Sequence, residues 1–190
     1  MLNNFMTKLQ NFLSLMQSNL ETTLIFIAIL WGIFFLTLLS RRKLLALGIY
    51  PRTLHGLAGI PFYTFLHVNF NHIFFNSIPL LVLVDFLLTQ GMMSFIKVSI
   101  SIIVISGIGI WLFGRKAIHV GASSLVMGYF SYLLLNAYRH PTTASIIIAL
   151  ICLYYFGGLI FNLFPREEKV SWEGHICGFI AGIIAAYFVV

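Results

Sequence analysis

From residue 22 onward the chain is a succession of six apolar stretches, about 22–40, 72–90, 94–113, 122–137, 143–164 and 174–190, separated by short polar connections. A run of about 20 apolar residues crosses a bilayer core as a helix, and inside lipid only helices and closed barrels satisfy their own backbone groups. Hydrophobic residues make up 60% of the chain and charged residues 8%, with a mean hydropathy of +0.99, which leaves too little polar surface for a water-soluble fold. The expected class is an all-α polytopic membrane protein: one six-transmembrane-helix bundle over residues 22–190, preceded by an N-terminal segment, residues 1–21. In that segment Phe5, Leu9, Phe12, Leu13 and Met16 recur at helical spacing, which predicts an interfacial helix over 3–18.

The net charge of +6 comes from eleven Lys and Arg against five Asp and Glu. These cations sit in short clusters between apolar runs, where lipid headgroups are their neighbours, so the bilayer is an expected partner and nucleic acid is not. Cys152 and Cys177 lie inside apolar runs and give no disulfide framework. No zinc-ligand spacing or nucleotide-binding glycine loop occurs, so neither a metal nor a cofactor is expected. The longest connection, up to Asn71, carries Pro51, Gly56, Gly59 and Pro61 and is expected to fold on or into the membrane surface. The others are short, which favours antiparallel neighbours.

The fourth stretch is too short to span a bilayer at about 1.5 Å per residue, so its start belongs below the surface, where free N–H groups are tolerated only beside protein or a wet cavity. It opens with Gly121-Ala122-Ser123-Ser124. A serine there either caps the helix or places its hydroxyl beside N–H groups that can stabilise an oxyanion. The last stretch opens with Gly174-His175-Ile176-Cys177-Gly178, and Gly178, Gly182 and Ala186 continue at four-residue spacing. Small residues at that period let two helix backbones approach closely, with Gly128 as a matching gap on the fourth stretch. His72 and Asn76, four residues apart, share a helix face and can donate into one small volume. Histidines at membrane depth are otherwise either interhelical hydrogen-bond partners or functional groups.

His67, His72 and Asn76, then Gly121-x-Ser123, then Gly174-His175-x-x-Gly178-x-x-x-Gly182, taken in that order on the second, fourth and sixth helices, resemble the rhomboid family of intramembrane serine proteases. The resemblance implies Ser123 as nucleophile and His175 as general base, with His72 and Asn76 at the oxyanion hole, His67 in support, and close packing at Gly121, Met127, Gly178 and Gly182. It also implies single-pass transmembrane protein substrates, cleaved where their helix unwinds, and a multi-pass location in a bacterial inner membrane. Ser124 stands where the family usually has glycine, Met127 where it commonly has an aromatic residue, and Ala58-Gly59 where some members have Trp-Arg.

Asp85 lies roughly 20 Å along its helix from His72 at about 1.5 Å per residue, too far to complete a triad, so a Ser-His dyad is expected. A catalytically silent rhomboid-like protein that binds membrane clients is the alternative reading. A small transporter or channel lined by His67, His72, Asn76, Asp85 and His175 is a more distant one. Rhomboids hold the active-site mouth away from the cytoplasm. In this chain that side would carry Arg41, Arg42, Lys43, Arg52, Arg115, Lys116, Arg166 and Lys169 against Lys8, Lys97 and Arg139 opposite, counter to the positive-inside tendency.

Overall fold

The structure, a computed structural model, describes residues 2–164 and 171–189. In chain order its helices are α1 (Leu2–Leu39), the single turn α2 (Leu54–Ala58), α3 (Phe70–Leu88), α4 (Met92–Phe113), α5 (Ser123–Arg139), α6 (Thr143–Phe156) and α7 (Trp172–Phe188). Tighter 3₁₀ turns occupy Lys43–Leu47, Tyr63–Phe65 and Gly157–Leu163. Among the described residues four helical stretches are long and apolar enough to cross a bilayer: Met6–Leu39, Phe70–Leu88, Met92–Phe113 and Thr143–Leu163. α5 and α7 are shorter, at 17 residues each.

From α3 onward each helix begins within two residues of where hydropathy puts it, while the single turn α2 lies in the connection where no apolar stretch was expected. α1 differs from expectation. The interfacial helix expected over 3–18 is not a separate element but the first half of a 38-residue helix, unbroken at residue 21 and about 57 Å long at 1.5 Å per residue. Phe12 on this half is 5% exposed and its ring lies 6.2 Å from that of Phe86, so the segment packs along α3. A polar-apolar stripe thus reported a packed face, which periodicity alone does not distinguish from a face lying on lipid.

Cross-helix contacts set the directions. Phe12 meets Phe86, Thr23 meets Asp85 and Trp31 meets Ser77, so α1 and α3 run antiparallel. α4 and α5 are also antiparallel, since Ser99 bonds Tyr129 and Ile102 packs on Gly128. α5 and α7 run parallel, with Ser124 against Gly178 and Gly128 against Gly182. α5 is the hub: every residue from Ser124 to Leu133 is buried, as befits a helix surrounded by others. Asp85, 5% exposed, accepts the Thr23 hydroxyl at 3.5 Å, which places a paired carboxyl between α1 and α3 far from the start of α5.

The connection between α1 and α3 is docked onto the bundle. Ile49 and His119 exchange both backbone bonds, at 3.0 and 2.8 Å, the Trp111 indole donates to the Thr53 carbonyl at 2.8 Å, and the Arg52 guanidinium donates to the Leu112 carbonyl at 2.9 Å. One end of the bundle therefore collects the C-termini of α1 and α4, the N-termini of α3, α5 and α7, and this loop. Arg41, Arg42, Lys43, Arg52, Arg115 and Lys116 all fall at that end, where Glu173 is the one acid among the described residues. Arg166 and Lys169 lie outside the described residues.

Candidate active site

The start of α5 is shaped by two constraints on backbone. Gly121 has φ +123°, and a Cβ there would lie 2.5 Å from the His72 ring, so conformation and space both require glycine. Ala122 is the N-cap residue and offers no side-chain cap, while Ser123 is the first residue of the helix, half-buried. The ordinary role of a serine at this place, capping, is therefore not the one Ser123 has. The first helical bond runs from the Val126 N–H to the Ala122 carbonyl at 2.9 Å, so the N–H groups of Ser123, Ser124 and Leu125 precede the ladder. Among the described residues the Ser123 hydroxyl makes no hydrogen bond.

α7 begins at a true cap, with the Gly174 N–H donating to the Ser171 hydroxyl oxygen at 3.3 Å. The same hydroxyl donates to His119 Nδ1 at 2.7 Å, and His119 Nε2–H donates to the Arg115 carbonyl at 3.0 Å. The Arg115 side chain also pairs with Glu173 at 3.4 Å. Together these straps join the connection before α5 to the first turn of α7. Ser171→Ala removes both the cap and the bond to His119, and is expected to cost about 1 kcal/mol, read as a lower unfolding midpoint in detergent.

His175, 7% exposed, sits on this first turn, with Nδ1 at 2.8 Å from the Asn162 carbonyl oxygen. A carbonyl only accepts, so in the neutral ring the proton is on Nδ1 and the Nε2 lone pair is available. The backbone of α7 touches that of α5 at the next turn. A Cβ on Gly178 would overlap the Ser124 carbonyl, whose carbon would lie 2.7 Å away, and one on Gly182 would overlap the Gly128 carbonyl, with its carbon at 2.8 Å. The Ser131 hydroxyl adds a bond across the pair to the Phe179 carbonyl at 2.8 Å. His175 stands one turn before Gly178 and Ser123 one residue before Ser124, so the contact brings both to the same end of one parallel helix pair. They are not hydrogen-bonded to each other, and such bonds in unliganded enzymes are often long, tightening only in the reacting complex.

α3 supplies a third wall. The Asn76 amide donates to His67 Nε2 at 3.3 Å, and the Ala122 N–H points to the same nitrogen at 3.4 Å. Burial pushes the His67 pKa down to about 3, so the ring stays neutral and Nε2 remains an acceptor. The His67 and His72 rings are 5.0 Å apart, and His72, half-buried over Gly121, is within electrostatic reach of His175. Met127, 1% exposed, is one turn beyond Ser123 on α5. The structure thus gathers His67, His72, Asn76, Gly121, Ser123 and His175 at one end of the bundle, with Gly178 and Gly182 about one and two turns farther along the α5–α7 contact. Sequence reasoning missed the Asn162 carbonyl, which has no residue signature. It also missed Tyr63 and the His119–Ser171 strap, whose signals were a phenol and an imidazole in otherwise apolar surroundings.

A profile of the Rhomboid domain matches residues 55–190. The chain is 34% identical to uncharacterized proteins of Mycobacterium bovis and Mycobacterium tuberculosis, over 87% of this chain and 73% of each of theirs. It is also 34% identical to one of Mycobacterium leprae, over 87% of this chain and 69% of that protein. With a domain match across most of its length, a bundle of apolar helices, and relatives above 30% identity along most of theirs, the chain belongs to the rhomboid family of integral membrane proteins.

Proposed function

We propose that this rhomboid-family protein is an intramembrane serine endopeptidase with a six-helix membrane-spanning core, cleaving single-pass transmembrane substrates through a Ser123–His175 dyad. The observation that carries the reading is the glycine-mediated contact of α5 and α7, which sets Ser123 and a histidine of defined tautomer at the same end of one helix pair. His175 Nε2 takes the Ser123 proton as Oγ attacks the scissile carbonyl carbon. The Asn162 carbonyl, accepting from Nδ1–H, holds the ring and faces the positive charge that forms on it, a place that a carboxylate takes in a triad. The oxyanion is received by the Ser123 N–H at the free start of α5 together with His72 and Asn76. Collapse breaks the C–N bond, the leaving amine takes the proton from the imidazolium, and water, activated by the same base, hydrolyses the acyl ester. Peptide bonds in a stable helix are sheltered, so the substrate must unwind locally at this end of the bundle.

A catalytically silent, client-binding rhomboid-like protein is the second reading, favoured by the unbonded Ser123 hydroxyl and by Ser124. Covalent labelling by a fluorophosphonate separates the two: the purified, folded protein is expected to be labelled at Ser123 and to cleave a model single-pass substrate in liposomes. Labelling absent from a folded preparation would favour the silent form.

The orientation is tested independently. The active-site end is expected to face away from the cytoplasm, with the Arg52 and Arg115 side chains tied to the Leu112 carbonyl and to Glu173 rather than acting as free topogenic loop charges. A cysteine placed at Lys116, an exposed site, should then react with a membrane-impermeant maleimide on intact cells. Reaction only after permeabilisation would reverse the topology.

A further inference from the structure

We infer that Tyr63 is the positioning residue for Ser123, holding the chain on both sides of the nucleophile, with Ser124 as its partner. The inference rests on the protease reading above. Tyr63 lies in the docked connection between α1 and α3 and is 2% exposed. Its main-chain carbonyl accepts the Gly121 N–H at 2.9 Å, and its phenol oxygen lies 2.9 Å from the Ser124 hydroxyl and 2.7 Å from that of Ser106 on α4. Only Ala122 and Ser123 stand between the two points held.

The proton order in this cluster follows from counting donors. The Ser106 hydroxyl donates to the Ile102 carbonyl, so its oxygen accepts from Tyr63. The phenol has one proton and has given it to Ser106, so its oxygen accepts from Ser124. The chain runs Ser124 to Tyr63 to Ser106 to Ile102, each hydroxyl donating once, and such aligned bonds polarise one another. All three hydroxyl residues are nearly inaccessible, with Ser106 0% and Ser124 2% exposed, so water does not replace a missing partner. Burial pushes the phenol pKa up to about 12, and it keeps the proton on which the sequence of bonds depends.

The mechanical consequence is specific. Gly121 at φ +123° gives the chain a sharp corner, and an unanchored corner lets the first residue of α5 shift relative to His72 and His175. With the N–H before Ser123 and the hydroxyl after it both tied to one side chain and its own carbonyl, Oγ is aimed from a fixed base. Ser106 extends the hold to α4, which also meets α7 where Gly109 packs on Cys177 and Ile110 on Gly174. The hydroxyl of Ser124 is bonded into this cluster.

A matched control exists in the same helix pair. Tyr129, fully buried on α5, bonds Ser99 of α4 at 2.6 Å, and Ser99 in turn donates to the Phe95 carbonyl, but this cluster lies more than a turn deeper and these bonds involve none of the residues placed at the site. The experiment compares Tyr63→Phe, Ser124→Ala, the double variant and Tyr129→Phe by three readouts. These are kcat and KM on a single-pass substrate in liposomes, the second-order rate of fluorophosphonate labelling at Ser123, and the melting temperature in detergent. Tyr63→Phe and Ser124→Ala are each expected to lower kcat about tenfold with KM within about twofold, and to slow labelling by the same factor. The double variant should fall no further than Tyr63→Phe alone, because both changes break the Ser124–Tyr63 bond and only Tyr63→Phe also breaks the bond to Ser106. Tyr129→Phe should lower the melting temperature comparably and leave both rates unchanged.

Wild-type rates in Tyr63→Phe and Ser124→Ala, or an equal loss of rate in Tyr129→Phe, would overturn the inference while leaving the protease reading in place. A folded wild type that neither cleaves nor labels would overturn both.

Discussion

Ser123→Ala is expected to lower cleavage of a single-pass substrate by at least about 10⁴-fold, and His175→Ala by a similar factor, while the double variant falls no further than either single change. In the proposed dyad nucleophile and base act as one unit: without the imidazole the hydroxyl keeps its proton, and without the hydroxyl the imidazole has nothing to deprotonate. The measurement is initial rate in liposomes of fixed lipid composition, with fluorophosphonate labelling as a second readout that needs no substrate docking. Labelling should vanish in Ser123→Ala and be strongly slowed in His175→Ala. His72→Ala, which removes the proposed oxyanion donor but neither proposed reacting group, is expected to retain labelling and lose roughly 10²-fold in kcat. Equal rates in wild type, Ser123→Ala and His175→Ala would remove these residues from the chemistry.

Reading the fold from hydropathy works here because lipid imposes a length rule. The α3, α4, α5 and α6 segments and the final α7 each announce themselves by an apolar run bounded by polar or small residues, and their starts fall within two residues of expectation. α1 escaped because an amphipathic stripe reports a buried face without saying what buries it, and Phe86 rather than lipid covers Phe12. The small-residue period at Gly174, Gly178 and Gly182 was legible in the chain; at Gly178 and Gly182 only glycine permits the backbone contacts with α5, while Gly174 meets side chains alone. The hydrogen-bonded supports were not. The Asn162 carbonyl is a main-chain group, and the Ser124–Tyr63–Ser106 chain joins residues from a loop, a helix start and a helix interior that no local pattern relates. Ser124, which stands where the rhomboid family usually has glycine, is in three dimensions a hydroxyl with a fixed acceptor.

Gly178→Ala is expected to separate the two halves of the dyad, lowering kcat on the order of 10²-fold and destabilising the bundle by about 1–3 kcal/mol. The added methyl would meet the Ser124 backbone, with its Cα and carbonyl carbon both 2.7 Å away, and backbone at a helix start has no rotamer through which to yield. α7 must therefore move off α5 by some fraction of the overlap, carrying His175 away from Ser123. Gly32→Ala supplies the opposite case: nothing lies within 4 Å of the new Cβ, so the change improves helix propensity in α1 without touching a neighbour. It should leave activity unchanged and stability equal or slightly higher. Both variants add one methyl to a glycine in an apolar helix, so any difference between them reports contact rather than composition. The check is a chemical unfolding midpoint in detergent beside kcat in liposomes. Gly178→Ala behaving like Gly32→Ala would mean that α5 and α7 do not approach backbone to backbone, and the placement of His175 beside the start of α5 would have to be abandoned.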